Sequence, residues 1–184
     1  MSFQANSQGT GGFLNPQEII ENIDIIKEGM KVADFGSGAG YFSILLARKV
    51  GKDGEVFAID VLKESLEVVE SKAKSEGFEN VKTIRGNLEN KGGSGLKEGF
   101  CDIIFIANLL FQTEDDKAVI EEVKRVLKKN GMVVFLEWIP GIPFGPEGKK
   151  IKKDEAINLF KEQGLVLKKE FPTDNYHYGL IFEK

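Results

Sequence analysis

A glycine-rich segment near the start of the chain has the composition of a ligand-binding loop. Its sequence, Asp34-Phe35-Gly36-Ser37-Gly38-Ala39-Gly40, lies between a short apolar segment and a helical pattern. Glycine allows the backbone to turn tightly and to approach a ligand closely. A second acid, Asp60, ends the next apolar segment, 20 residues after Gly40, where a carboxylate can accept hydrogen bonds from two ribose hydroxyls. Together these features predict a site for a ligand that contains a nucleoside.

The spacing of the glycines distinguishes three kinds of nucleotide-binding loop. The dinucleotide fingerprint is Gly-x-Gly-x-x-Gly. With Gly36 and Gly38 as its first two glycines, the third position falls on Tyr41. A phosphate-binding P-loop requires Gly-Lys followed by Ser or Thr, which this loop lacks. The observed Gly-x-Gly-x-Gly, with an acid two residues before its first glycine, resembles the first motif of class I S-adenosylmethionine (SAM)-dependent methyltransferases.

The elements around this loop alternate between strands and helices. Apolar segments predict seven strands, at residues 31–35, 55–60, 81–85, 102–107, 132–138, 165–171 and 178–183. Apolar residues at helical spacing predict helices at residues 16–27, 41–50, 65–76, 115–129 and 154–163. This alternation predicts an α/β fold with a parallel sheet and right-handed crossovers. The last two strands are joined by a turn-rich segment, which suits a hairpin with an antiparallel strand.

The resemblance to class I methyltransferases extends over about residues 16–184 and implies the architecture of that family. It implies a three-layer αβα Rossmann-like fold, with a seven-stranded, mostly parallel sheet in the order 3-2-1-4-5-7-6 and strand 7 antiparallel. Residues 14–184 are interpreted as a single methyltransferase domain, and residues 1–13 as a flexible arm that can fold over the site as a lid. The chain is most similar to small methyltransferases of the ubiquinone/menaquinone-methylase type. Those proteins often have a histidine in the segment matching residues 108–112, where this chain has none, so their substrate is not transferred to it.

The resemblance also implies which residues contact SAM. They are Asp34, Phe35, Gly36, Ser37, Gly38, Gly40, Asp60, Val61, Leu62, Asn87, Leu88 and Asn108. Asp34 would support the amino end of the methionine part, Asp60 would hold the ribose hydroxyls, and residues 61–62 would pack on adenine. The family often has an acid near Asn87 that binds the adenine amino group, and the amide oxygen of Asn87 can still accept that bond. Asn108 would face the methionine end and the methyl group.

Two titratable residues at the same expected edge of the sheet are candidates for proton transfer. Methyl transfer is an in-line displacement with a neutral leaving group, so alignment and exclusion of water matter most. A general base helps only when the acceptor must lose a proton. His177 is the only histidine, and its ordinary pKa suits proton transfer near neutrality. Glu137, near the end of the fifth strand, is an alternative base or a carboxylate that binds an amine.

Composition and motifs restrict the class of acceptor. The formal net charge of −4 argues against broad attraction to nucleic acid, without excluding a local patch. Methyltransferases that act on nucleobase amino groups commonly carry Asn/Asp-Pro-Pro-Tyr/Phe, whereas Asn108-Leu109-Leu110-Phe111 lacks both prolines. With one cysteine and one histidine, no metal site is predicted. Neither a membrane span nor a signal peptide is recognised, so a cytoplasmic location is expected.

The sequence therefore predicts a SAM-dependent methyltransferase that acts on a small-molecule or lipid-like acceptor and releases S-adenosylhomocysteine. Three alternatives stay open at this point. In the first, the chain is an RNA or protein methyltransferase that recruits its substrate with the help of a partner. In the second it is a nicotinamide-dependent oxidoreductase, and in the third it is a SAM-binding module without turnover. The mismatch at Tyr41 disfavours the oxidoreductase.

Overall fold

A seven-stranded sheet forms the centre of the structure, a computed structural model that describes residues 14–143 and 145–184. The strands are β1 (Lys31–Phe35), β2 (Glu55–Asp60), β3 (Val81–Arg85), β4 (Cys101–Ala107), β5 (Leu127–Trp138), β6 (Val166–Phe171) and β7 (His177–Glu183). The helices are α1 (Pro16–Asn22), α2 (Tyr41–Val50), α3 (Lys63–Glu76), α4 (Asp116–Val126) and α5 (Lys153–Glu162). The predicted N-terminal arm, 1–13, and its action as a lid lie outside the described residues.

The strand order is β3-β2-β1-β4-β5-β7-β6. All neighbouring pairs from β3 to β5 are parallel, whereas β7 is antiparallel to both β5 and β6. The prediction of a Rossmann-like, mostly parallel sheet with strand 7 antiparallel is therefore confirmed. The central strand β4 is apolar along most of its length and almost wholly buried, as expected for a strand covered on both faces of a parallel sheet.

The helices cover the two faces of the sheet with separate apolar clusters. On one face, isoleucines of α1 and the apolar side of α2 pack against Val32, Phe105 and Val134. On the other face, α4 and α5 pack against Phe35, Ile104 and other residues of the strands. Burial of these residues is the main stabilising contribution to such a fold. The central strands β1 and β4 are thereby held between two layers of helices.

The first helix is shorter than its sequence pattern predicts. The pattern extended over residues 16–27, whereas α1 ends at Asn22. Lys49 of α2 donates to the carbonyl oxygens of Ile20 and Glu21. Carbonyl groups of the last helical turn have no partner within the helix, so this lysine stabilises the early end. A tertiary contact, which the local pattern does not contain, therefore ends the helix.

The fourth helix is also shorter than predicted, and the strand after it is longer. The prediction placed a helix at 115–129, whereas α4 ends at Val126. The backbone N–H of Phe100 donates to the Val126 carbonyl at 2.7 Å, and Leu127 pairs with Cys101 at the start of β4. Pairing with a neighbouring strand thus overrides the local helical preference. The other predicted bounds agree with the structure within two residues.

The carboxyl ends of the parallel strands meet at one edge of the sheet, which collects the predicted site residues. β1 leads into the glycine-rich segment, β2 ends at Asp60, and Asn108 follows β4. His177 begins β7 and pairs with Trp138 at the end of β5, because β7 runs in the opposite direction. Within the part of the chain that the structure describes, no helix has the length and hydropathy needed to cross a bilayer.

Candidate active site

The glycine loop, residues 36–40, connects β1 to α2 and depends on glycine for its shape. Gly36 and Gly40 have φ angles of +75° and +77°, in the left-handed region that residues with a Cβ rarely adopt. A Cβ on Gly40 would lie 2.7 Å from Cγ2 of Val69 in α3. Gly38 has a φ of +49°, but no atom lies within 4 Å of the position that its Cβ would take. The loop is therefore tightly packed at Gly40 and open at Gly38.

Asp60 joins the glycine loop to the end of β2. Its Oδ2 accepts a hydrogen bond from the backbone N–H of Gly38 at 2.9 Å, and its Oδ1 accepts one from Leu62 at 2.9 Å. An ionised carboxylate has about four lone-pair sites, so each oxygen can accept a further hydrogen bond. The structure thus brings together the two features from which the sequence predicts a nucleoside site.

A cavity of about 330 Å³ lies beside this contact, near the lower end of the range of roughly 300–1,000 Å³ for small-molecule sites. Eight of the twelve predicted cofactor-binding residues line it, namely Gly36, Gly38, Asp60, Val61, Leu62, Asn87, Leu88 and Asn108. The other four, Asp34, Phe35, Ser37 and Gly40, are not among the lining residues. We call this cavity the cofactor cavity below.

Sequence reasoning did not assign several lining residues to the cofactor. They are Ser65, Gly86, Glu89, Leu109, Gln112 and Thr113. Glu89 Oε2 accepts hydrogen bonds from the backbone N–H groups of Glu114 and Asp115 at 3.1 and 3.0 Å. It thereby ties the segment after β3 to the start of α4. The local sequence signal for the position of Glu89 is Asn87, a residue type that favours an Asx turn. In the structure Asn87 Oδ1 accepts from Glu89 N at 2.9 Å.

Two buried polar atoms near the cavity have no hydrogen-bond partner among the described residues, namely Ser37 Oγ and Asn108 Oδ1. Asn108 also has a φ of +53°, which is uncommon for a residue with a side chain. Its backbone N–H donates to the Leu136 carbonyl at 2.9 Å, which helps to hold this conformation. An unpartnered buried polar group costs about 1–3 kcal/mol, and strained backbone clusters at ligand sites. The glycine loop and the end of β4 therefore fit a polar ligand.

Asp34 lies in the interior at the end of β1, next to α2. It is 2% exposed and accepts a hydrogen bond from Ser43 Oγ at 2.5 Å. Burial raises the pKa of Asp34 to about 7, and the charge of Asp60 acts in the same direction, whereas the Ser43 hydrogen bond lowers it. The carboxyl group of Asp34 is therefore partly protonated near neutral pH.

Glu137 holds the segment that follows β4. Its Oε2 accepts from the backbone N–H of Leu110 at 2.9 Å, and its Oε1 accepts from Trp138 at 3.0 Å. Leu110 begins a short 3₁₀ turn, Leu110–Gln112. Glu137 is fully buried, and this burial raises its pKa to about 7 although the backbone hydrogen bonds lower it. Glu137 does not line the cofactor cavity.

His177 is buried at the start of β7 and also lies outside the lining of the cofactor cavity. Its Nδ1 lies 2.8 Å from Asp174 Oδ1, and its ring packs against Trp138 with 4.0 Å between ring centroids. Burial lowers the pKa of His177 below its ordinary value of 6.5, and Asp174 acts in the opposite direction. Among residues 14–143 and 145–184, no group of three or more His, Cys, Asp or Glu residues is arranged to hold a metal ion.

Comparison with known proteins agrees with this geometry. The family of methyltransferase domains matches residues 26–170. The demethylmenaquinone methyltransferase of Geobacillus sp. (strain WCH70) is 36% identical over 112 residues, which are 61% of this chain and 47% of that protein. The Bacillus subtilis (strain 168) protein of the same name is 33% identical over 120 residues, 65% of this chain and 50% of that protein. The chain thus spans about half the length of the curated relatives it matches.

A solved structure is similar over almost the whole chain. The SAM dependent methyltransferase from Aquifex aeolicus has a TM-score of 0.82 and 27% sequence identity, and the match covers 92% of this chain and 89% of that one. The family match, the strand order and the glycine loop with Asp60 define the class of protein. The chain belongs to the family of methyltransferase domains, which confirms the resemblance on which the sequence-based prediction rests.

Proposed function

We propose that the protein transfers a methyl group from SAM to a small-molecule or lipid-like acceptor. The observation that carries this proposal is the contact between Gly38 N and Asp60 Oδ2 at 2.9 Å, at the open point of the glycine loop. A carboxylate fixed beside an unobstructed backbone is suited to hold a ribose. The relatives named as methyltransferases support the same donor and the same reaction.

The residues around the cofactor cavity fit SAM by their chemistry. Asp60 would hold the ribose hydroxyls, and Val61 and Leu62, which are half exposed, offer apolar surface to adenine. Ser37 Oγ and Asn108 Oδ1 are buried without partners and suit the polar methionine end. When bound, SAM supplies a methyl group on a positively charged sulfur, which is reactive without a metal ion.

The chain itself has two tasks in such a reaction. It must align the acceptor with the methyl group, and it must exclude water from the space between them. Glu137 serves the first task by fixing the turn at Leu110, because both of its oxygens accept backbone hydrogen bonds. The roles of Glu137 and His177 in proton transfer stay predictions. Of the two we favour His177, since its Nε2 has no partner among the described residues.

A small or lipid-like acceptor is favoured over a macromolecule by two observations. The net charge is −4, and the curated relatives are named for a methyl transfer to demethylmenaquinone. Reduced demethylmenaquinone is therefore the first acceptor to test. The proposal includes a single catalytic domain over residues 14–184 and a cytoplasmic location. In the alternative, an RNA or protein acceptor, a partner would help to recruit the substrate.

The first test is calorimetric titration of the purified protein with SAM and, separately, with NADH. The proposal predicts binding of SAM and no binding of NADH. Asp60→Ala should weaken SAM binding, whereas Asp53→Ala, which removes an exposed carboxylate before β2, should not. Binding of NADH alone would contradict the proposal in favour of an oxidoreductase.

The second test follows the methyl group. SAM labelled on its methyl carbon is incubated with the protein and reduced demethylmenaquinone, and in parallel with a cell extract that is afterwards separated into small molecules, lipids, protein and RNA. Label in the small-molecule or lipid fraction is the expected result. Label in protein or RNA would overturn the acceptor class, and SAM binding without any transfer would indicate a binding module.

A further inference from the structure

The turn between β6 and β7 brings an acid against the only histidine of the chain. Asp174 Oδ1 lies 2.8 Å from His177 Nδ1 and also accepts from the backbone N–H groups of Tyr176 and His177, each at 2.9 Å. Thr173 Oγ1 donates to the His177 carbonyl at 2.6 Å. The turn therefore fixes both the backbone and the ring of His177.

This arrangement determines which ring nitrogen carries the proton. An ionised carboxylate has no hydrogen to donate, so Nδ1 must donate to Asp174. The neutral ring then has a lone pair on Nε2. Nε2 is buried and has no hydrogen-bond partner among the described residues, which is unfavourable in a folded protein. A donor from a bound molecule would satisfy it.

The position of His177 in the sheet fits such a molecule. Asn108 follows β4 and lines the cofactor cavity, and β5 separates β4 from β7. With neighbouring strands about 4.8 Å apart, the end of β4 and the start of β7 are separated by roughly 10 Å across the sheet. Both lie at the carboxyl edge of the parallel strands. The Trp138 ring at the end of β5 packs against the imidazole, so an acceptor must enter beside Trp138, where it would have the methyl donor on its β4 side and the imidazole on its β7 side.

We propose that Asp174 and His177 form a carboxylate–imidazole pair in which Nε2 takes the proton that the acceptor loses. The acceptor must then carry an ionisable O–H or N–H group, on the accepting atom or conjugated to it. This inference rests on the methyl-transfer function proposed above. His177 is the catalytic residue of the pair and Asp174 is its positioning residue.

The proton and electrons of this step balance without a further reactant. The acceptor atom forms a bond to the methyl carbon, and the electron pair of the broken carbon–sulfur bond stays on sulfur. The proton of the acceptor moves to Nε2, and the resulting imidazolium faces the Asp174 carboxylate. The imidazolium loses this proton to water after the product leaves.

Burial, and not the surrounding charge, favours a neutral imidazole before the reaction. Burial lowers the pKa of His177, and the nearby Asp174 opposes this shift. Other charged or titratable groups on the elements around this corner include Tyr178, next to His177 in β7, and groups on α1, β5 and the loop after β5. Glu18 of α1 lines a cavity of about 230 Å³ together with Asp174. Lys150 Nζ lies 5.7 Å from the Trp138 ring centroid, and Glu137 precedes Trp138 in β5.

The tautomer can be measured directly, without SAM or acceptor. Because the chain has one histidine, ¹⁵N-histidine labelling of tag-free protein gives the NMR signals of a single imidazole. The expected spectrum at neutral pH has the proton on Nδ1. Asp174→Asn keeps an acceptor oxygen but removes the charge, so the pKa of His177 should fall by about 1–3 units. Asp24→Asn, which removes a surface carboxylate paired with Lys169, should leave the pKa of His177 unchanged.

Either of two NMR results would contradict the proposed carboxylate–imidazole pair. One is a wild-type spectrum with the proton on Nε2, and the other is a titration in which the His177 pKa is unchanged in Asp174→Asn. Neither measurement depends on methyl transfer, so they separate this inference from the proposed function. That function would fail if the wild-type protein bound no SAM, or bound SAM and transferred no label to any fraction.

Transfer assays test the catalytic part of the proposal. His177→Gln should lower transfer of the labelled methyl group by about 100-fold or more, with unchanged SAM affinity. In Asp174→Asn the acidic limb of the pH profile should move to lower pH by the same amount as the His177 pKa measured by NMR, and the plateau rate should fall. Two results would contradict the catalytic role of His177. One is methyl transfer by His177→Gln at the wild-type rate, and the other is an acidic limb of the pH profile that does not follow the measured His177 pKa.

Discussion

The two halves of the proposed site at the carboxyl edge of the sheet, one for the cofactor and one for the acceptor, differ in the residues that form them. The proposed cofactor side is lined by three glycines, Gly36, Gly38 and Gly86, and by the partly buried Asp60. The proposed acceptor side contains two buried titratable side chains, Glu137 and His177. A glycine loop suits a ligand shared by many proteins, whereas side chains can differ between proteins that act on different acceptors.

The titratable groups of the two halves also differ. Both oxygens of Asp60 accept hydrogen bonds from backbone N–H groups of neighbouring loops, and Asp60 is only partly buried. Burial, by contrast, raises the pKa of Glu137 to about 7 and lowers the pKa of His177. Perturbed groups of this kind concentrate where protons move. Burial perturbs Asp34 beside the glycine loop in the same way, so the division that we propose, with binding on one side and proton transfer on the other, rests on the positions of Glu137 and His177 as well as on their pKa shifts.

The largest loss of free energy of unfolding is expected within the glycine loop, where two alanine substitutions can be compared. Gly40→Ala combines a left-handed backbone with a Cβ that would lie 2.7 Å from Val69 Cγ2, so it should destabilise the protein by about 2–5 kcal/mol. Gly38→Ala has the strain without the close contact and should cost about 1–2 kcal/mol. Denaturant unfolding measures both values. Equal losses would show that packing against α3 does not shape the cofactor side.

The next effect concerns the affinity for SAM. Asp60→Ala removes the acceptor of the Gly38 and Leu62 N–H groups and the proposed acceptor for ribose. Calorimetry should show binding of SAM weakened by about 1–3 kcal/mol. Asp53→Ala is the control for loss of a carboxylate elsewhere. An unchanged affinity in Asp60→Ala would place the cofactor somewhere other than this cavity.

A smaller effect on stability is expected from a substitution at Glu137. Glu137→Gln exchanges one acceptor oxygen for an N–H donor that faces the N–H of Leu110 or Trp138. The unfavourable contact should lower the free energy of unfolding by about 1–2 kcal/mol and reduce methyl transfer more than SAM affinity. Glu121→Gln on the exposed side of α4 provides a matched control. A larger loss of SAM affinity than of transfer would assign Glu137 to the cofactor side.

The smallest effect is a change in the pH dependence of stability. The pKa of His177 is lower in the folded protein than its ordinary value of 6.5, so the unfolded chain binds more protons just below that value. The His177 contribution to stability should therefore fall as the pH drops below about 6.5, whereas the raised pKa values of Asp34 and Glu137 act in the opposite direction. His177→Gln should remove only the His177 part of the slope. Unfolding free energies at several pH values between 5 and 8 would reveal it. Parallel curves for the two proteins would show that His177 is not desolvated.

The glycine loop and its position beside Asp60 could be predicted from the sequence because these parts are local. Asp34 to Gly40 are contiguous, and Asp60 follows at the end of the next strand. The strand order came from resemblance to a family, since no local pattern contains the position of β7 between β5 and β6. The seven strands were nevertheless visible as separate apolar segments.

The surroundings of Glu137 and His177 could be predicted only in part. His177 and Glu137 were candidates by residue type, but the partner of His177, Asp174, depends on the geometry of a turn. Glu89 likewise contacts N–H groups 25 and 26 residues away. The premature ends of α1 and α4 have the same origin, since Lys49 and β4 supply contacts from distant parts of the chain. Tertiary contacts therefore account for most of what the sequence patterns missed.

The most direct test of the division between the two halves measures SAM affinity and methyl transfer side by side for Asp60→Ala and His177→Gln. Calorimetry gives the affinity, and transfer of label from methyl-labelled SAM gives the rate at saturating SAM. We predict that Asp60→Ala weakens SAM binding, and that His177→Gln keeps wild-type affinity but loses transfer by about 100-fold or more. Loss of SAM affinity in His177→Gln, or full transfer by it, would contradict the account.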